Sequence, residues 1–436
     1  MSNHINSEVI QRSRGGSALQ RLAYQTCTYY NNGKSHADYS RFAGDHRGGL
    51  VLLPDGADPE FADECNFVMA VAFRETRVNA QEGRAVDFAL PRELPEELLL
   101  PVASFVMAAF VRQGMAVRID IECPQASDNG RNPHVHAFLA MRVLEPDGFG
   151  QKAREWNQQF RYASGRYFRA VIAARVTLAC ALVGVAAHMD PRRNKERGLP
   201  EPEQRIPAPL WWMCDRLTYV APIENLKAER ERKKEKLKTL SAPRVNTSGT
   251  VVVSNAVSNR DPMSEEERNQ RMNFLVPLVQ DLGLETRGSS AGILLATSAG
   301  SVLFDGEALT VEGTTGHAQA QLIIKLAGIL DWPAMVVEGD SRWTDEIILT
   351  GIPIGLTAIN TCASADAIRL ITKKYTNLLA DVIRPFDPCS VVDGARTEPR
   401  AAGGVPLPLF QGNARQHRSH VQRALSLDPQ HPRKGR

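Results

Sequence analysis

Cysteine pairs, long apolar runs and a marked charge imbalance are all missing from this chain, and each absence excludes a class of protein. The cysteines number seven, at positions 27, 65, 123, 180, 214, 362 and 389, an odd total without a single CxxC pair. Neither a zinc ribbon nor a disulfide framework suits that pattern. The longest apolar stretch, Val176 to Ala187, falls far short of the ~20 residues a membrane-spanning helix requires. Met1 to Asn6 has no charged region followed by an apolar run, so neither a secretory leader nor membrane insertion is expected. Lys and Arg total 52 against 49 Asp and Glu, leaving +3 overall. Bulk electrostatics therefore does not announce a nucleic-acid partner. No replicative helicase motif occurs either.

What is present suffices for two or more packed domains: 436 residues, 43% of them hydrophobic. Pro95 to Arg112 and Phe168 to Ala187 repeat apolar residues at helical spacing. Trp211, Trp212 and Tyr219 follow, suited to packing at a domain edge or to stacking on bases. The expected division is a first domain over residues 1–222, a charged helix and linker over 223–262, a small α/β module over 263–375, and a mostly disordered basic tail over 376–436. Ser241 to Pro262 lacks helical periodicity and reads as a connector. Beyond it the expected order is helix Glu265 to Leu282, strands Gly292 to Thr297 and Ser301 to Val311, helix Gln319 to Leu330, strand Ala334 to Glu338, helix Asp345 to Thr350 and strand Ile352 to Thr357. That module carries no catalytic triad, phosphate loop or metal spacing, and reads as a docking unit.

The most informative segment is Asn132-Pro133-His134-Val135-His136. Two imidazoles two residues apart on an extended segment project from one face. Before them, Val117 to Glu122 alternates apolar and polar residues, and a polar loop joins the two segments. A hairpin is predicted, with Val117, Ile119 and Ile121 facing the core and Arg118, Asp120 and Glu122 on the other side. A suitable register then sets Glu122 opposite His134 and His136, two nitrogens and a carboxylate able to hold a cation. The other reading is a pair of hydrogen-bonded surface histidines.

Near the start, Arg14-Gly15-Gly16-Ser17 leads into Ala18 to Tyr24. Ser17 suits the cap of a short helix whose free amides face a phosphate, with Tyr24 about two turns in. Tyr24 then either attacks phosphorus or packs with Leu19 and Ala23.

Three blocks in fixed order resolve the choice. They are Gly16-Ser17-Ala18 to Tyr24 with His36 to Arg41; Arg74-Glu75-Thr76-Arg77-Val78-Asn79-Ala80-Gln81 with Arg84 and Phe88 to Pro95; and Gly114 through the HxH pair to Met141-Arg142, Asp147 to Gly150 and Arg154 to Asn157. Across roughly residues 12 to 200 the chain resembles the MobA/MobL family of plasmid mobilisation relaxases, within the HUH endonuclease superfamily. The resemblance implies an α/β fold: an antiparallel-sheet, HUH-type relaxase domain with packed helices, here joined to the smaller C-terminal α/β module. It also implies a strand-specific DNA nickase of the bacterial cytoplasm. Such an enzyme acts on single-stranded DNA at a plasmid transfer origin, alongside auxiliary mobilisation proteins and a coupling protein.

Carried onto this chain, the resemblance makes Tyr24 the nucleophile and His134, His136 and Glu122 the holders of a divalent ion. Glu122 stands where the family has a third histidine. A carboxylate there favours Mg or Mn over Zn; otherwise the site has degenerated and the protein binds origin DNA without cutting. His188 is a lesser candidate for the third ligand. Glu75, on a helical pattern with Asn79, is the expected group to orient or deprotonate Tyr24. Arg41, Arg77 and Arg84 are expected phosphate contacts, and Arg192 and Arg193 an expected rim for single-stranded DNA.

Overall fold

The structure, a computed structural model, describes residues 4–199, scattered residues between 224 and 235, and residues 250–375, apart from 32–35, 127, 147, 195, 198, 258–263, 281–283, 298–299 and 313–315. Trp211, Trp212, Tyr219 and the basic tail lie outside the described residues. The first part runs β1 (Ile5–Gln11), α1 (Ala18–Gln25), β2 (Tyr29–Asn31), β3 (His36–Asp38), β4 (His46–Leu52), α2 (Glu64–Arg74), β5 (Gln81–Ala89), α3 (Glu96–Val111), β6 (Val117–Glu122), β7 (His134–Ala140), β8 (Arg142–Glu145), β9 (Gly148–Lys152), α4 (Trp156–Arg161) and α5 (Arg166–Leu182).

Five of these strands form one antiparallel sheet in the order β1-β5-β7-β6-β4, which places the histidine-bearing strand in the middle. The predicted β6–β7 hairpin is present, with Glu122 directly opposite His134. Alternation sorts the side chains. Ile119, Ile121, Val135, Ala137, Leu139, Val86 and Phe88 are fully buried on one face, where α3 and α5 cover them. Each large apolar side chain so buried contributes about 1.5–3 kcal/mol, which fixes the register against a one-residue slip.

On the other face Val51, Ala85 and Phe138 meet Ala18 of α1 and Phe67, Val68 and Val71 of α2. Gly83 is needed there, because a Cβ on it would lie within 2.5 Å of the Phe138 ring. The rest of this face, toward the start of β7, carries polar side chains.

The second part runs β10 (Thr250–Asn255), α6 (Glu265–Gln280), β11 (Glu285–Ser289), β12 (Gly292–Thr297), β13 (Gly300–Phe304), β14 (Ala308–Glu312), α7 (His317–Ile329), β15 (Met335–Glu338), α8 (Ser341–Gly351) and α9 (Ala365–Lys374). Its sheet order is β11-β12-β13-β14-β10-β15. The elements β11 and α9 have no counterpart in the expected order, and three readings change. Residues 250–255, read as linker, form β10, whose Val251 and Val253 are buried between β14 and β15. The single strand read over Ser301 to Val311 is a hairpin that turns at Asp305 and Gly306, where Asp305 Oδ1 accepts from the amides of Glu307 and Ala308. The strand read over Ile352 to Thr357 is instead a 3-10 turn, Ile352–Ile354, closed by left-handed Gly355.

Val336, Ile348, Ile368 and Ile371 of this part join the apolar cluster that contains α5, and α9 packs on α5. Among the described residues no helix is long and apolar enough to cross a membrane.

Candidate active site

The polar end of the second sheet face is built by strand pairing. Across β5, β7 and β6, Asp87 opposes His136 and Glu122 opposes His134. Glu122 Oε2 lies 3.4 Å from His134 Nε2 and 3.3 Å from His136 Nε2. One ligand atom from each of the three falls within 4.8 Å of the others, the only such group of three or more among the described residues. Their outer contacts set the imidazole tautomers. His134 Nδ1 lies 2.8 Å from the Asn132 carbonyl and His136 Nδ1 lies 2.7 Å from Asp87 Oδ1, leaving both Nε2 atoms to face Glu122. His136 Nε2 is buried, and its 3.3 Å approach to Glu122 Oε2 falls short of hydrogen-bond geometry. Two outer-bonded imidazoles whose inward nitrogens face one carboxylate fit a divalent cation.

Electrostatics without an ion agrees with the geometry. Burial raises the Glu122 carboxyl, but contacts with His134 and His136 outweigh it and hold the group well below the usual carboxylate range. For His136 burial disfavours the charged ring, yet Asp87 and Glu122 together push its pKa up. An ionised carboxylate facing two imidazole rings is thus held in the form that binds a cation.

Tyr24 reaches the cluster from α1. Its ring stands edge-on to His136 at 5.1 Å and to Tyr39 at 5.3 Å, with the Arg21 guanidinium 5.0 Å from its centroid. Burial, then Glu122, raise the phenol above its ordinary value, and Arg21 opposes them. Gln25, fully buried, donates to the His136 carbonyl at 2.6 Å and pins the end of α1 to β7.

The MobA/MobL family profile matches residues 16–202. This segment is a MobA/MobL-family domain. The probable mobilization protein MobA of Bifidobacterium longum is 30% identical over 147 residues, 33% of this chain and 25% of that protein. The conjugal transfer protein TraA of Agrobacterium fabrum is 31% identical over 161 residues, 34% of this chain and 14% of its own length. The chain thus spans a quarter or less of these curated relatives. Among solved structures, one described as the molecular basis of vancomycin resistance transfer in Staphylococcus aureus aligns over 43% of this chain and 97% of its own, at 21% identity and a TM-score of 0.37. The conjugative relaxase TrwC in complex with oriT DNA, in a metal-bound structure, aligns over 40% of this chain and 68% of its own, at 14% identity and a TM-score of 0.25.

Within the MobA/MobL domain, Tyr24, Glu122, His134 and His136 come together, while Glu75, Arg84, Arg192 and Arg193 are engaged with other partners. Glu75 ends α2 and is bound by Arg142 Nε at 2.7 Å and Lys152 Nζ at 3.0 Å, with only 5% of its side chain exposed. Arg84 is three residues from Asp87 on β5 and so points to the opposite face. There it donates to Asn157 Oδ1 and Ser7 Oγ and stacks on Phe160. Arg77 lies exposed in the turn before β5. Arg192 is committed to Asp190, and the Arg193 amide donates to Glu196, on the segment bridged to the start of α5. His188, whose pKa burial lowers, is not in the cluster. Arg41 is exposed, two residues beyond Tyr39.

The start of α1 also differs from expectation. Ser17 Oγ accepts from the Gln20 amide at 3.5 Å, and Glu82 Oε2 accepts from the Ala18 amide at 2.6 Å, so these donors are already taken by protein groups. Sequence reasoning missed Asp87, Glu82, Arg21 and Cys27. Asp87 had a signal: a lone carboxylate inside the apolar run Ala85-Val86-Asp87-Phe88-Ala89 must find a partner.

The Glu75 geometry yields a direct expectation. Glu75→Gln leaves Arg142 and Lys152 without their anion, and because both cations are partly exposed the cost is roughly 1–3 kcal/mol rather than that of a fully buried pair. Chemical denaturation should show this loss, while DNA cleavage measured well below the transition keeps most of its rate. A rate loss of several hundredfold without destabilisation would return Glu75 to the role of base.

Proposed function

We propose that the MobA/MobL domain is a relaxase: a site- and strand-specific DNA nickase that forms a reversible 5'-phosphotyrosyl intermediate at a plasmid transfer origin. The observation that carries this reading is the position of Tyr24, whose ring meets His136 at 5.1 Å beside a cation-suited cluster. The mobilisation and conjugal-transfer names of the relatives support it. Auxiliary mobilisation proteins and a coupling protein are the partners such a role implies.

His134, His136 and Glu122 would hold a divalent cation, Mn suiting their mixed nitrogen and oxygen donors better than Mg, and it would supply charge to offset that building on the nonbridging phosphate oxygens. Everything else falls to the chain. Arg21, paired with Asp87 and lying against the Tyr24 ring, stabilises phenolate character as the hydroxyl gives its proton to solvent water. The Tyr24 oxygen forms a bond to phosphorus, the bond to the 3' oxygen breaks, and that oxygen takes up a proton from water. One phosphodiester replaces another, so the 3' hydroxyl can reverse the step. Exposed Tyr29 and Phe42, with Tyr39 beside Tyr24, offer flat rings on which unpaired bases can stack.

The test uses supercoiled plasmid carrying the cognate origin, with Mg or Mn, and reads covalent protein–DNA adduct on a denaturing gel. Chelation should lower adduct yield by about 100-fold or more, since such charge stabilisation is worth several kcal/mol. Specific origin binding without adduct under any divalent ion would favour a noncatalytic accessory with a degenerate metal site.

A further inference from the structure

The turn that ends α1 has an unusual residue at its tightest point. Cys27 N–H donates to the Tyr24 carbonyl and Thr28 N–H to the Ala23 carbonyl, the paired bonds of a Schellman helix end. The left-handed position of that motif normally belongs to glycine, because a Cβ is disfavoured there. Here it is Cys27, with φ of 53° and 2% exposure. A strained, buried side chain that glycine would replace without strain calls for a reason in its contacts.

The contact is with the cluster. Cys27 Sγ lies 3.5 Å from Glu122 Oε1, whereas Oε2 of the same carboxylate faces His134 and His136. A ligating imidazole needs an acceptor on its second nitrogen, as Asp87 and the Asn132 carbonyl provide for the two histidines. A ligating carboxylate needs the opposite, a donor on its second oxygen, and a thiol is such a donor. We propose that Cys27 is a positioning residue that orients Glu122 for a divalent cation and ties that ligand to the helix bearing Tyr24. The inference rests on the reading of Glu122, His134 and His136 as a cation site, but not on cleavage.

Its test is Mn binding by calorimetry on the full chain, with thermal unfolding of the metal-free protein alongside. Cys27→Ser and Cys27→Ala keep the left-handed strain and differ in the donor, so serine should stay near the parent affinity while alanine weakens it roughly 10-fold or more, as for other outer-shell partners. Cys27→Gly should unfold at a higher temperature than Cys27→Ala and bind Mn as weakly. That split separates positioning from a packing role, which would lower stability and leave affinity alone. Equal Mn affinity in parent, alanine and glycine variants would overturn the proposal, as would a thiolate charge-transfer band on cobalt loading, which makes Cys27 a ligand itself. A parent protein that binds no divalent ion would sink the cation site and this inference with it. Absent cleavage with an intact affinity series would sink only the nickase reading.

Discussion

Tyr24→Phe should abolish the covalent DNA adduct, by roughly three orders of magnitude or more, as removal of a reacting nucleophile does in other enzymes. The fold should barely notice. Among the described residues no hydrogen bond contributes to the Tyr24 environment, so deletion of its oxygen leaves no buried partner unsatisfied. The ring contacts with His136, Tyr39 and Arg21 survive in phenylalanine. Binding to origin DNA and the unfolding midpoint should therefore stay close to the parent values while the adduct disappears. Tyr39 supplies the control, because its ring lies against Tyr24 and it is the nearest alternative phenol. If the Tyr24 variant still forms the adduct and Tyr39→Phe does not, the nucleophile has been misassigned.

The hairpin that holds the site was legible because period-two alternation over Val117 to Glu122 dictates which side chains share a face, and a carboxylate then falls across from the histidines. Parity on a neighbouring strand carried equal information that went unused. Glu75 and Asn79 read as a helical pattern, whereas Asn79 lies in a turn and β5 begins at Gln81, so Arg84 and Asp87, an odd number apart, part to opposite faces. Asp87 joins the centre and Arg84 leaves it. Glu75 looked like a base because it stands in the motif near the active centre, but motif proximity does not reveal that Arg142, 67 residues further on, and Lys152 beyond it converge on its carboxylate. The Cys27 contact spans 95 positions and has no local signature except a cysteine where a helix end favours glycine. In the second part β10 was hidden by Ser, Asn and Pro on both sides, although Val251-Val252-Val253 is β-branched throughout.

Removal of the Glu122 carboxylate has the second large effect expected. Its two oxygens serve different partners, so Glu122→Ala takes away a ligand and the counter-charge beside both imidazoles, and Mn affinity should fall beyond the roughly 10–100-fold typical of outer-shell losses. Asp87→Asn provides the outer-shell comparison, since it keeps shape but weakens the hold on His136 Nδ1 and leaves Arg21 without its anion. It should cost within that 10–100-fold range. Glu122→His should restore much of the cleavage lost in alanine, because imidazole is also a competent donor. Full restoration is not expected: the second nitrogen of that new ring would meet the Cys27 thiol rather than a carboxylate acceptor, so its tautomer would be poorly fixed. Metal-dependent cleavage that is unchanged in Glu122→Ala would remove Glu122 from the ligand set and leave His134 and His136 in need of another partner.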